Sequence, residues 1–350
     1  MKILTNTIVR IFYAGSLCIA VFLSSCNKSS EVAISPIRAF YYWKQEFKLS
    51  PPEKDVIDHL GITKLYVKFF DVSRSVNEAM PVAEISFDSA SITKNIEYVP
   101  VVFITEATLA ATAETEIDTL ASHIISKIFR MADRVNIQPK EIQLDCDWSK
   151  RIREKYFRLV AVIRKLASDK GAITSATIRL HQVKYRDETG VPPCERGMLM
   201  FYNMSEWRNA GTKNSIFDPD EAEKYIHYVK DYPLALDVVL PIFRWSIVYR
   251  NNKFLTILGG LDKTSLSGNS VFREDGKRFI VSRDTFAFNV QLREGDMIRP
   301  ESCDEHELQQ WSLRIQGLLP NTYRTFALYH LDSAVLSYYK NEELENIFPH

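Results

Sequence analysis

Hydrophobic and polar positions along this chain alternate with period two in short runs, and the stretches between those runs carry a helical period. The clearest strand pattern covers residues 141–149. There Ile142, Leu144, Cys146 and Trp148 fall on one side and Gln143, Asp145 and Asp147 on the other. Two carboxylates two residues apart on one strand face are separated by roughly 7 Å. Seven further runs read as strands, at residues 37–44, 65–72, 98–106, 173–182, 198–203, 234–245 and 324–332. Run 98–106 is almost continuously apolar, as expected of a parallel strand covered on both faces. Run 173–182 puts Ser175, Thr177, Arg179 and His181 on one side, with Ala176, Ile178 and Leu180 on the other. Helices fill the gaps. Pro51-Pro52 start one that ends near Gly61. Ile117, Leu120, Ala121, Ile124, Ile125 and Ile128 form the apolar stripe of a second. A third has Ile152, Tyr156, Leu159, Ile163 and Leu166 inward and ends at Gly171. Asp218-Pro219 open a fourth through Lys230, and a last helix spans about 333–346.

Eight strands interleaved with helices predict an α/β fold, a (β/α)8 TIM barrel over residues 36–350. The apolar sides of the fourth and fifth strands then face the helices and the polar sides face the barrel interior. Asp145, Asp147, Arg179 and His181 are expected inside, and Leu144, Cys146, Ile178 and Leu180 against helices. In the second strand Tyr66, Lys68 and Phe70 share the inward side. The two carboxylates could therefore join Lys68 and Arg179 in an ion network that merely fills the barrel. Residues 246–323 interrupt the pattern between strands 7 and 8 and predict a β-rich insertion. Asp275-Gly276 marks a hairpin turn in it, and a helix with Leu308, Trp311, Leu313 and Ile315 follows. Loops after barrel strands lie over the face that carries active sites, so the insertion is expected to wall the cleft.

The amino terminus changes the picture of where the barrel works. Lys2 and Arg10 precede or flank a 13-residue apolar run at 11–23, too short for a membrane span of about 20 residues. It ends in Leu23-Ser24-Ser25-Cys26, which resembles a bacterial lipobox. Residues 1–25 are expected to be a lipoprotein signal peptide, Cys26 the lipidated residue, and 26–35 a polar tether. The expected location is the cell envelope, lipid-anchored to the outer membrane and facing the periplasm or the surface. Loss of residues 1–25 leaves 42 basic and 44 acidic residues, which gives no reason to expect nucleic-acid binding. Cys146, Cys194 and Cys303 remain, with no CxxC or His/Cys spacing, so neither a metal nor a cofactor is expected. One disulfide would be permitted outside the cytoplasm, while Cys146 is expected to pack as a small apolar residue.

Three stretches together resemble family 18 glycoside hydrolases, the chitinase-like barrels. Asp145-Cys146-Asp147-Trp148 matches the end of that family's DxxDxDxE motif on the fourth strand. Met200-Phe201-Tyr202-Asn203 matches its MxY(D/N) on the sixth, and Leu240-Pro241-Ile242-Phe243-Arg244 echoes its Gly-x-Pro-x-Tyr-like run on the seventh. Combined with the lipobox, the chain also resembles lipid-anchored barrels of gut-type bacteria. The resemblance implies that Asp147 orients a sugar's N-acetyl amide and that Tyr202 hydrogen-bonds its carbonyl. The family's general acid is the Glu two residues beyond the last Asp, and here that position is Ser149. A serine hydroxyl holds its proton far too tightly to serve a glycosidic oxygen near neutral pH, so the substrate-assisted route is not carried over intact.

Two readings follow. Either the chain is a glycosidase whose acid has moved, with Asp145 and Asp147 close enough to repel and Glu106 and Glu206 as further candidates. Or it is a sugar-binding barrel without hydrolysis, in which Trp43, Trp245, Tyr202 and Tyr329 stack on sugar rings. Arg179 and His181 would then fix hydroxyls or an acidic group, with Asn203 beside them. A structural lipoprotein with a protein partner is the third possibility. Trp43, Trp245 and His181 could equally be core residues.

Overall fold

A computed structural model describes residues 35–74, 79–319 and 325–349. Cys26, and the signal peptide and tether through residue 34, lie outside the described residues.

Eight parallel strands close into a ring. They are β1 (Ile37–Tyr42), β2 (Lys64–Arg74), β3 (Glu97–Ile104), β4 (Glu141–Asp145), β5 (Ile173–Arg179), β6 (Arg196–Met200), β7 (Leu236–Pro241) and β8 (Thr325–Tyr329). Each pairs with its neighbours in chain order, and β1 closes the ring by pairing with both β2 and β8. Around it lie α1 (Pro51–His59), α2 (Ile117–Arg134), α3 (Arg153–Ser168), α4 (Pro219–Ile226), α5 (Glu305–Leu318) and α6 (Asn341–Ile347). This is the (β/α)8 TIM barrel that the alternation predicts.

The period-two pattern separates two cores. Leu144, Cys146, Ile178 and Leu180 pack outward with the helix stripes, while Tyr41, Tyr66, Val99, Val101, Met198 and Val239 fill the ring. Burial of each outer Ile or Leu is worth about 1.5–3 kcal/mol, so the α2 stripe, with Ile117, Leu120, Ile124, Ile125 and Ile128 buried, is a large term. The ring is layered. At the amino end Lys64 Nζ meets Glu141 Oε2 at 2.7 Å, and Arg196 grips Asp237 with two bonds of 2.9 and 2.6 Å. In the middle the Tyr41 hydroxyl donates to Gln143 at 2.5 Å and its ring stacks on Tyr66. Asp145 and Arg179 belong to the carboxyl-end layer.

Several expectations are corrected. Residue 70 does not face inward. A bulge between Lys68 and Phe70 breaks the alternation of β2, so Phe69 and Phe70 both join the outer core. Lys68 pairs with Asp71 at 3.2 Å, and among the described residues it has no ion pair with the β4 carboxylates, so the expected network is not formed there. β4 and β5 end at Asp145 and Arg179, earlier than read. The pattern runs on because Cys146 and Trp148 stay buried after the ladder stops; the Trp148 indole donates to the Thr189 carbonyl at 2.9 Å. Asp147 therefore lies beyond β4, exposed at the rim. His181 lies in a short helix, Leu180–Lys184, and is exposed rather than inside the barrel. The last helix is two, Ser333–Leu336 and α6. Between them Tyr338 is held by the Arg244 guanidinium, 3.4 Å above its ring, and donates to the Gly260 carbonyl. The three cysteines are free and buried, Cys146 in the outer core as expected.

Between β7 and β8 the insertion forms a five-stranded antiparallel sheet with its own core, including Val248, Leu258, Phe279 and Ile298. Its first strand is Trp245–Arg250, so Trp245 belongs to the insertion and not to β7. The hairpin turn is Gly276-Lys277, one residue later than read, because Asp275 already pairs with Arg278 and Gly276 takes φ +63°.

Candidate functional site

A cleft of about 350 Å³ opens at the carboxyl ends of the strands, where Asp147, Arg179, Tyr202, Trp207 and Trp245 line it. Its floor comes from three strand ends. Arg179 is the last residue of β5, and its Nε and Nη2 both bond the Asp147 carboxylate, the second at 3.1 Å to Oδ2. This fork geometry fixes the carboxylate in one orientation. Asp147 remains 58% exposed on its side chain and the Arg179 side chain 17%, so the pair presents the carboxylate to the cleft and keeps most of the guanidinium beneath it. The third nitrogen of Arg179, Nη1, is buried and has no hydrogen-bond partner among the described residues. Burial works against the charge of Arg179, but Asp147 and Asp145 outweigh it and hold the guanidinium protonated.

Asp145 sits one layer down and is buried. Thr177 Oγ1 donates to its Oδ1 at 2.7 Å. Burial raises its pKa; the Arg179 charge opposes this and the Asp147 charge adds to it. Asp145 thus supports the floor from below and does not line the cleft.

Tyr202, two residues past β6, is 4% exposed. Its ring packs 5.2 Å from Tyr329 and 5.8 Å from Phe243, and burial pushes its phenol well above the ordinary range. Asn203 follows at φ +53°, a left-handed conformation that Asn tolerates better than most residues. The turn leaves its side chain exposed in the cleft, and its N–H donates to Ile216 at 2.8 Å. His181 also lines the cleft from its short helix.

Three expected ligand residues are elsewhere, the first being Tyr329, which packs against Tyr202 and Phe243 outside the cleft lining. Trp43 packs against Tyr329 and Phe103 under the Lys68 ammonium, away from the cleft lining. Glu106 accepts a 2.6 Å bond from the Ser149 hydroxyl and a 3.3 Å bond from Arg151 Nε, also outside the lining. Residue 149 is therefore not a vacancy: a neighbouring carboxylate, 43 positions earlier in the chain, has closed on it. Trp245 does line the cleft, with its indole on Glu301 Oε2 at 2.6 Å. Sequence reasoning missed Trp207. It stands on the loop after β6, edge-on to Phe254 of the insertion at 4.5 Å, and Arg208 lies 3.8 Å over its ring. The available signal was position alone, an aromatic residue just past a barrel strand, beside Glu206.

Fold and site together are a (β/α)8 barrel with a cleft over the carboxyl ends of its strands, to which the insertion after β7 contributes Trp245. No family model and no curated protein sequence matches the chain. Solved structures do. A chitinase from Chromobacterium violaceum superposes with a TM-score of 0.60 at 11% identity, over 90% of this chain and 100% of that one. The Bacillus megaterium spore cortex-lytic enzyme SleL gives 0.59 at 12%, over 91% and 75%. A chitinase-like agglutinin from Robinia pseudoacacia gives 0.55 at 13%, over 89% and 99%. The fold is that of the family 18 chitinases and chitinase-like proteins.

Proposed function

We propose that this protein binds a carbohydrate in the cleft over the carboxyl end of the barrel and does not cleave it by the family 18 route. The observation that carries this is the state of residue 149. Its hydroxyl is committed to Glu106, while Asp147, Tyr202, Trp207 and Trp245 all line one cleft. Holding a sugar needs acceptors and aromatic faces; cleaving it needs in addition a carboxyl of tuned pKa at the glycosidic oxygen. The neighbours include both chitinases and a chitinase-like agglutinin, so the fold itself does not choose between the two.

The test is titration of the form lacking residues 1–26 with chito-oligosaccharides and a broad glycan panel. Asp147→Asn is expected to weaken binding tenfold or more, since a charge-assisted hydrogen bond is worth about 1.5–3 kcal/mol. Tyr202→Phe is expected to cost roughly 2- to 10-fold, the range for a neutral bond of about 0.5–1.5 kcal/mol. The runner-up, a glycosidase with a relocated acid, rests on Glu206 lining the same cleft as Asp147. Turnover of a bound glycan that disappears in Glu206→Gln would select it. A folded protein that binds no glycan would leave the reading of a lipoprotein with a protein partner.

The same proposal places the barrel at the cell envelope through a lipid on Cys26, supported by the charge, apolar run and Leu-Ser-Ser-Cys order of the amino terminus. Cys26→Ala is expected to stop processing, so that an uncleaved precursor accumulates and metabolic labelling with a fatty acid is lost. Labelling of the variant at the wild-type level would remove the anchor.

A further inference from the structure

The loop after β6 brings Glu206 and Trp207 onto the cleft, and its main-chain carbonyls are taken up by side chains of the insertion. Arg299 Nη1 donates to the Asn209 carbonyl at 2.8 Å and Nη2 to that of Trp207 at 3.2 Å. The Tyr249 hydroxyl also donates to the Trp207 carbonyl, and Arg278 Nη2 donates to that of Ala210 at 2.8 Å. Arg299 is itself buried, with Nε on Glu301 Oε1 at 2.6 Å. The other oxygen of Glu301 accepts from the Trp245 indole and from Ser215, both at 2.6 Å.

A fully buried ion pair is a poor way to gain stability, because desolvating two charges costs several kcal/mol each and apolar residues of the same volume often do as well or better. What such a pair supplies is geometry. Here four of its polar contacts end on the two segments that carry the cleft tryptophans: the Trp207 and Asn209 carbonyls and the Ser215 hydroxyl on the loop after β6, and the indole of Trp245. Apolar replacements would fill the space, but would take the acceptor from the Trp245 indole and the Ser215 hydroxyl and leave the Trp207 carbonyl held only by Tyr249 and that of Asn209 only by the loop's own Thr212 N–H.

We propose that the Arg299–Glu301 pair is a positioning clamp that fixes Trp207 and Trp245 relative to each other and so sets which ligand fits between them. Neither charged residue touches the ligand; both act through the two tryptophans. What the clamp is for rests on the glycan-binding reading above, but the clamp itself is testable without any ligand. Hydrogen–deuterium exchange of the peptide spanning residues 204–215 is compared with that of β1–β8 in wild type, Arg299→Met, Arg299→Lys and Tyr249→Phe. The methionine variant should exchange at least tenfold faster in 204–215 with the barrel strands unchanged. Lysine keeps the charge on Glu301 but has one head for two carbonyls, and should fall between. If Arg299→Met does not fold, Tyr249→Phe removes one carbonyl donor and nothing else, and should give a smaller local acceleration. For any glycan that wild type binds, Arg299→Met should lose affinity as Trp207→Ala does, and Arg299→Lys should restore part of it. Unchanged exchange in 204–215, or acceleration spread evenly over the barrel, overturns the clamp. Failure of wild type to bind glycans, with local acceleration intact, overturns only the reading it serves.

Discussion

Lys64→Met should destabilise the fold by about 3–5 kcal/mol, the cost of stranding a buried charge. Lys64 and Glu141 are the first residues of β2 and β4, and their side chains are only 8% and 3% exposed. Glu97, at 3.1 Å, also meets the ammonium but is more exposed and can turn to water. Burial opposes the charge on Lys64, and Glu141 and then Glu97 more than restore it. Methionine fills the volume and takes the ammonium from Glu141, which keeps its bond from Ser175 Oγ at 2.5 Å. The double variant Lys64→Met/Glu141→Gln should recover most of the loss, because the amide still accepts from Ser175 and carries no charge. Urea unfolding of the three proteins gives the comparison. A single-variant cost below about 1 kcal/mol would mean that water reaches Glu141 and that the layer is not dry. Glycan affinity should stay within about twofold of wild type, since this layer lies at the end of the barrel opposite the cleft.

The barrel was legible because its interior obeys one period. In β4 and β5 every second residue faces the ring, and the outward set Ile142, Leu144, Ala176 and Ile178 is apolar, with Thr174 the one polar residue on that side. What the period could not show was where the ladder stops. Trp148 remains buried after β4 has ended, so alternation of burial outlasts alternation of strand geometry; this displaced Asp147 to the rim and concealed the helix that carries His181. Nor could it show the bulge in β2. Two adjacent apolar residues, Phe69 and Phe70, are compatible with either face until the partner strand is known. The pairing of Glu106 with Ser149 and of Arg299 with the Trp207 loop joins residues 43 to 92 positions apart, and no local pattern encodes such contacts. Motif residues were readable where a side chain meets the cleft directly, as at Asp147, Tyr202 and Asn203. Trp43 shows the opposite case: a tryptophan at a strand end, packed against Tyr329 and Phe103, serves the core.

Returning a glutamate to residue 149 should not by itself produce a hydrolase. Ser149 Oγ lies 2.6 Å from Glu106 Oε1, and Arg151 already pairs with the same oxygen. In Ser149→Glu the new carboxyl arrives against an existing one, and the two must share a proton or push apart. The informative variant is the exchange Ser149→Glu/Glu106→Ser, which keeps one carboxyl and one hydroxyl in the pair and moves the carboxyl onto the β4 side, where the resembled family has its acid. Measured on an aryl glycoside of the sugar that wild type binds best, the exchange should raise turnover by the 10²–10⁴-fold that a positioned general acid contributes. The new activity should fall as pH rises through the pKa of the introduced carboxyl, because a group that donates its proton must first hold it. The single variant should stay near the wild-type background. An exchange variant that binds as wild type does but turns over no faster would show that the missing acid is not what silences the site. The constraint would then fall on the fork of Arg179, which holds the Asp147 carboxylate in one orientation and keeps it from turning toward a substrate amide.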